Sequence, residues 1–160
     1  YVVFDRVECE RPRTVDRYQW GHGEAKFQPK ELQARELPHL PKRGAYRDVK
    51  AGEAGRELQV DWPNGLRMRL VSDGDMLACR AVTIGGYQAA PREVTWARAP
   101  QAGAVTFLAG FSYGKGLKPP KMRILKVGRQ QMEFEVQPAG KQPSRIQIDL
   151  KAGTVRKTAP

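Results

Sequence analysis

Residues 57–73 read ELQVDWPNGLRMRLVSD. Before Pro63-Asn64-Gly65, Leu58, Val60 and Trp62 alternate with Gln59 and Asp61; after it, Leu66, Met68 and Leu70 alternate with Arg67 and Arg69. Period-two alternation places each apolar set on one side of an extended strand. Asn-Gly supplies the backbone conformations of a tight turn between antiparallel strands. The stretch predicts a hairpin with one apolar face.

The pattern recurs. Met132, Phe134 and Val136 alternate with Glu133 and Glu135, and Ile146, Ile148 and Leu150 with Arg145, Gln147 and Asp149. Turn residues at Asp73-Gly74-Asp75, Gly85-Gly86, Pro119-Pro120 and Pro138-Ala139-Gly140 separate the runs. No repeat or low-complexity segment is present, and PKELQARELP, bounded by Pro29 and Pro38, has room for two helical turns only. The expectation is an all-β antiparallel β-sandwich of about ten to twelve short strands, in one domain over 1–160. A long loop or insertion is expected at 28–55, a length that is usually functional or mobile. The opening residues, YVVFDRVEC, already read as the interior of a strand and no initiator Met precedes them, so a piece of a longer chain is expected. No run approaches the roughly 20 apolar residues of a membrane-spanning helix, and no signal-peptide pattern is visible.

The formal net charge is +11. Residues 1–80 hold 15 basic and 13 acidic residues, whereas residues 81–160 hold 13 basic and 4 acidic. From Ser112 to Arg129 there are six Lys or Arg and no acid. Such a surface attracts nucleic acid, acidic polysaccharide or anionic lipid, or is a solvated face that keeps the protein soluble. Overlapping its start, GFSYGKGLKPPK sets Phe111 and Tyr113 beside Lys115 and Lys118. The aromatic signature of an RNA-recognition sheet is missing, so nucleic acid is not the expected partner.

The chain carries no glycine-rich phosphate loop, nucleophile elbow, HExxH or paired CxxC. Ser72, Ser112 and Ser144 have no nearby histidine from which to begin a triad. Cys9 and Cys79 can make one disulfide at most, and Cys79, within DMLACRAV, reads as a buried free thiol. His22 and His39, 17 residues apart, are the only histidines. As metal ligands they would need a third, from Asp16, Glu24 or Asp61, and their spacing matches no metal motif. No cofactor is therefore expected, zinc being the one alternative.

Residues 16–25, DRYQWGHGEA, place Tyr18, Trp20 and His22 on one side of a strand that Gly21 and Gly23 then interrupt. Imidazole can act as acid, base or charge neutraliser near neutral pH, and the two rings suit the C–H faces of sugars. The alternative is core packing, with His22 a hydrogen-bonded residue at the strand end.

The first 27 residues, YVVFDRVECERPRTVDRYQWGHGEAKF, resemble the start of the C-terminal β-domain of heparinase II/III-type polysaccharide lyases. In that family a hydrophobic strand ending in a vvvDrv-like motif is matched here by Asp5-Arg6-Val7, and a following Trp/Leu/His motif by Trp20 and His22. ELQVDWPNGLRMRLVS and GAVTFLAGFSYG are similar, more loosely, to later strands of the family. Gly21 stands where the family usually has a bulky residue, and no LLP-like strand follows. The resemblance implies a bacterial, periplasmic or extracytoplasmic enzyme that joins an N-terminal α/α-toroid to this β-sandwich. It would cleave uronic-acid polysaccharide by β-elimination: a base takes the C5 proton, the carboxylate is neutralised, and the 4-linked leaving oxygen is protonated. An essential Tyr and an Asn or His reside in the toroid; the β-domain contributes a His, and some members hold a structural zinc. His22 is then the catalytic candidate, with Tyr18, Trp20, Arg17, Arg67 and Arg69 as substrate-binding candidates. The expected partners are acidic polysaccharide and the toroid, with no membrane, and the domain alone is expected to be inactive. The competing expectation is a non-catalytic polyanion- or carbohydrate-binding β-sandwich module.

Overall fold

The computed structural model describes residues 1–20, 24–28, 31–38, 40, 46–83 and 93–158. It is all-β, in two antiparallel sheets that are compatible with a β-sandwich. The first sheet contains β1 (Val2–Trp20), β2 (Lys26–Gln28), β3 (Gln33–Ala34), β4 (Tyr46–Asp61), β5 (Leu66–Thr83) and β6 (Glu93–Tyr113). Its order is β1-β6-β5-β4-β2, with β3 on the first half of β4. The second sheet contains β7 (Lys121–Val127), β8 (Gln131–Gln137), β9 (Ser144–Asp149) and β10 (Thr154–Thr158), in the order β10-β9-β8-β7.

Four strands of the first sheet are not short: β1, β4, β5 and β6 have 19, 16, 18 and 21 residues. Each is interrupted at one level. Pairing of β5 with β6 skips from Ser72↔Phe107 to Leu77↔Arg98, that of β1 with β6 shifts between Glu8 and Val15, and that of β4 with β5 shifts around Gly55. These irregularities form a crease across the sheet. An ion pair measures how sharply it bends. Arg17 Nε lies 2.8 Å from Asp5 Oδ2, although the two residues are 12 apart on one strand. Twelve residues of straight strand span about 40 Å, so β1 must double back between them.

The bent strands supply both layers of a core. Leu58, Val60, Met68, Leu70, Phe107 and Phe111 come from one side of the crease, and Met76, Ala78, Ala97 and Ala99 from the other, in one buried cluster. Apolar residues on the outer faces form two further clusters. Val71 and Leu108 are covered by Met122 and Phe134 of the second sheet. Leu77, Cys79, Ala81, Val94 and Trp96 pack with Leu37, Leu40, Tyr46 and Val49.

The hairpin at 62–66 closes as the alternation predicts. Trp62 N–H donates to the Leu66 carbonyl, Gly65 N–H to the Trp62 carbonyl, and Leu66 N–H to Asn64 Oδ1. The expected turn at Asp73-Gly74-Asp75 is instead the crease within β5. There Asp73 Oδ1 accepts the N–H of Thr106 at 2.8 Å, and Ser72 Oγ that of Gly74 at 3.2 Å. Turn-forming residues thus serve a bulge rather than a chain reversal, because their side chains replace ladder bonds that the bend removes. The 28–55 stretch, expected as a connection, carries β3 and the first half of β4. Its glycines and charges hide a strand whose inward residue is small: Ala51 is buried, and a Cβ on Gly52 would collide with the Glu31 carbonyl oxygen. No helix occurs among the described residues, hence none long and apolar enough to cross a membrane.

The second sheet approaches the first closely at Gly110. A Cβ on Gly110 would lie 2.6 Å from Pro120 Cγ and 2.9 Å from Met122 Sδ. Gly110→Ala should therefore cost about 1–3 kcal/mol, seen as a lower urea midpoint at unchanged slope. Gly74→Ala, with nothing near its Cβ, is the tolerated control. An unshifted midpoint for Gly110→Ala would mean that the sheets do not pack there.

Candidate functional site

The residues of the DRYQWGHGEA stretch that the structure describes end β1 beside β6. Register sets Asp16 opposite Arg98, Tyr18 opposite Trp96 and Trp20 opposite Val94. Paired positions share a face of the sheet, and here it is the outer face that also carries Cys79. Trp96 is 1% exposed. The Tyr18 ring stacks on it with centroids 5.6 Å apart and 26° between planes, and Tyr46 tilts against it at 6.0 Å. Tyr18 remains 37% exposed, so this aromatic group has a solvent-facing edge over a buried base.

Beneath the rings lies a buried charge pair. Arg98, 2% exposed, donates from Nε and Nη2 to the two carboxylate oxygens of Asp16, each at 2.7 Å, and from Nη1 to the Pro38 carbonyl at 2.7 Å. The fork geometry suits a guanidinium and carboxylate. The bond to Asp16 raises the Arg98 pKa further, outweighing the opposing effect of burial. One side chain thereby ties β6 to β1 and to the 31–38 segment. Burial, reinforced by the Asp16 charge and the Tyr46 contact, pushes the Tyr18 phenol far above its ordinary 10.0. Burial pushes the Cys79 thiol up to about 12. Both groups are therefore neutral near pH 7.

The chain beyond Trp20 is held again at Ala25, whose N–H donates to Glu93 Oε1 at 2.8 Å. Burial raises the Glu93 pKa, against the Ala25 bond and the Arg80 charge, which lower it. Arg80 Nη1 lies 3.1 Å from Glu24 and 3.6 Å from Glu93. Trp20 is paired with Val94 and Ala25 is bonded to Glu93, so the two ends of this connection are fixed to adjacent residues of β6. His22, inside the connection, and His39 lie outside the described residues, as does the Trp20 side chain. Among the described residues no group of three His, Cys, Asp or Glu could hold a metal. Cys9 and Cys79 are both free thiols.

The predicted binding residues occupy three places. Tyr18 is in the aromatic group. Arg17, on the opposite face, packs inward with its Nε on Asp5. Arg67 and Arg69 lie beyond the crease: Arg69 Nε is 3.1 Å from Glu57, and Arg67 Nη1 donates to the Leu117 carbonyl at 2.9 Å. Sequence reasoning missed Trp96, Arg98 and Tyr46. The available signal was EVTWARA, where Trp96 and Arg98 share a strand face; an arginine in line with a buried tryptophan demands a carboxylate partner.

Asp16→Asn leaves the Arg98 charge buried without its counter-charge, and should cost about 3 kcal/mol in chemical unfolding. A loss within error would show the pair to be solvated. Alkaline pH should also destabilise the fold. The unfolded Cys79 and Tyr18 ionise near their ordinary values of 9.0 and 10.0, while the folded groups keep their protons. The unfolded state then binds fewer protons, so stability falls as pH rises through that window. Urea midpoints between pH 8 and 11 measure the slope, and Tyr18→Phe should flatten it; an equal slope in the variant would exclude the Tyr18 share.

No family model, curated protein or solved structure matches this chain.

Proposed function

We propose that this chain is the C-terminal β-domain of a bacterial heparinase II/III-like polysaccharide lyase, acting on uronic-acid polysaccharide in the periplasm or beyond. The observation that carries this reading is the fixing of the His22 connection at both ends, on Val94 and Glu93, next to the partly exposed Tyr18 ring. A reacting side chain gains from a short connection on a rigid sheet, because catalysis requires its position to be held. In this reading His22 is the group that neutralises the uronate carboxylate or moves a proton, and Tyr18, kept as a neutral phenol, stacks on or donates to a sugar. The upstream toroid supplies the remaining catalytic groups. All six cations between 112 and 129 are exposed, which favours approach of an anionic chain. No step assigned here to the domain involves a metal.

The same exposed cations support a second reading, a non-catalytic module that binds acidic polysaccharide. A β-elimination assay separates the two. The intact protein should generate unsaturated uronate, followed by its absorbance, from at least one member of a panel of uronic-acid polymers. His22→Ala should lower turnover by at least about tenfold without moving the melting temperature. Unchanged turnover would remove His22 from the reaction, and binding without any elimination product would select the module.

A further inference from the structure

A cleft opens where the 62–66 turn meets the end of β6. It has a volume of about 650 Å³, and its lining includes Trp62, the turn, Lys26, Arg67, Tyr113 and Lys115. Tyr113 is 69% exposed, an unusual position for a large ring at the end of a strand whose preceding residues are core. The wall is held in shape. Gly114 N–H donates to the Gly65 carbonyl, and the Leu117 carbonyl accepts from both Arg67 Nη1 and Ser112 Oγ. Gly65, Gly114 and Gly116 have φ of 85°, 120° and 79°, conformations that favour glycine.

The charges of the cleft are not balanced internally. Of its two carboxylates, Glu24 is engaged by Arg80 at 3.1 Å, and Asp61 accepts from Gln59 at 3.3 Å with Arg67 Nε 4.0 Å away. Lys26 and Lys115 form no ion pair among the described residues, and Lys118 follows just outside. A ring platform beside lysines fits a ligand with an apolar face and a negative charge on one residue. Single-stranded nucleic acid shares those features, but its affinity draws on several stacking rings along a groove, and this cleft exposes one.

We propose that this cleft is a subsite for a carboxylated sugar residue, with its ring on Tyr113 and its carboxylate drawn to Lys115 and Lys26. The ligand class rests on the polyuronate reading above, while the site itself is built from Tyr113, Lys115 and Lys26.

Calorimetric titration of the 160-residue chain tests this. The probes are tetramers of mannuronate, guluronate and galacturonate, with methyl-esterified tetragalacturonate as uncharged control and a ten-nucleotide oligo-dT. At least one acidic tetramer should bind, and the ester should not. Tyr113→Ala and Lys115→Gln, both at exposed positions, should each weaken binding about fivefold or more; Lys151→Gln, at the distant β9–β10 turn, should not. The proposal is overturned if no acidic tetramer binds, if affinity is unchanged in Tyr113→Ala, or if oligo-dT binds more tightly than every uronate. Unchanged affinity in the variants of an intact protein that still eliminates uronate would sink the subsite alone. Binding that follows the variants, in an intact protein without elimination activity, would keep the subsite and sink the enzyme.

Discussion

The architecture depends on four long strands sharing one apolar face that must leave water. A flat sheet of this size would expose it. Folding at a crease brings Leu58, Met68, Leu70 and Phe107 against Ala78, Ala97 and Ala99, so the face covers itself. Burial of roughly 25 cal/mol per Å² of apolar surface supplies the drive, and the crease residues remove the obstacle. Asp73 answers the N–H of Thr106, and Gly55 and Gln101 take positive φ of 58° and 52°. Large side chains on one side of the fold meet mostly small ones on the other, which permits close approach of the layers.

Self-coverage leaves two outer faces to be treated differently. One receives the second sheet, with Phe4 stacked toward Phe134 and Met122 seated over Gly110. The other receives the 31–38 segment and Leu40, anchored by the Arg98–Asp16 pair. A buried ion pair contributes little net stability beside an apolar substitute, but its directional bonds fix which parts of the chain meet. Here they set the position of Tyr18 and of the strand end that leads to His22.

Most of the pairing was legible in the sequence. Alternation in 57–70 and 131–148 identified the hairpins and their apolar faces: Leu58, Val60, Trp62, Met68, Leu70, Met132 and Phe134 are buried, Leu66, Val136, Ile146 and Ile148 half-buried, while Leu150 is exposed just past the end of β9. Continuity across the crease was not legible, because Asp-Gly-Asp has the same composition in a bulge as in a turn. Nor was Tyr46–Gly55 recognisable as strand: packing of Ala51 and Gly52 against neighbours, rather than any intrinsic preference, makes it one. For the site, alternation correctly separated Arg17 from Tyr18. It could not reveal Trp96 beneath Tyr18, since that contact depends on a register between segments 78 residues apart. The positive segment was visible from composition alone, but the rigid wall that Gly114 and Gly116 make for Tyr113 required the φ values.

The register of β1 also has a kinetic consequence. The pairs from β4 through β5 to β6 connect consecutive strands and can form as a local meander. β1 instead pairs with β6 across separations from 74 residues, at Trp20↔Val94, to 108, at Val2↔Gly110. Closing so long a loop costs more chain entropy and slows assembly. The strand that bears Asp5, Arg17 and Tyr18 is therefore expected to dock after the β4–β5–β6 meander has formed. Maturation of the Tyr18 surface coincides with completion of that sheet, and a chain stalled before this step would present the unpaired edge of β6 as a template for strands of other molecules.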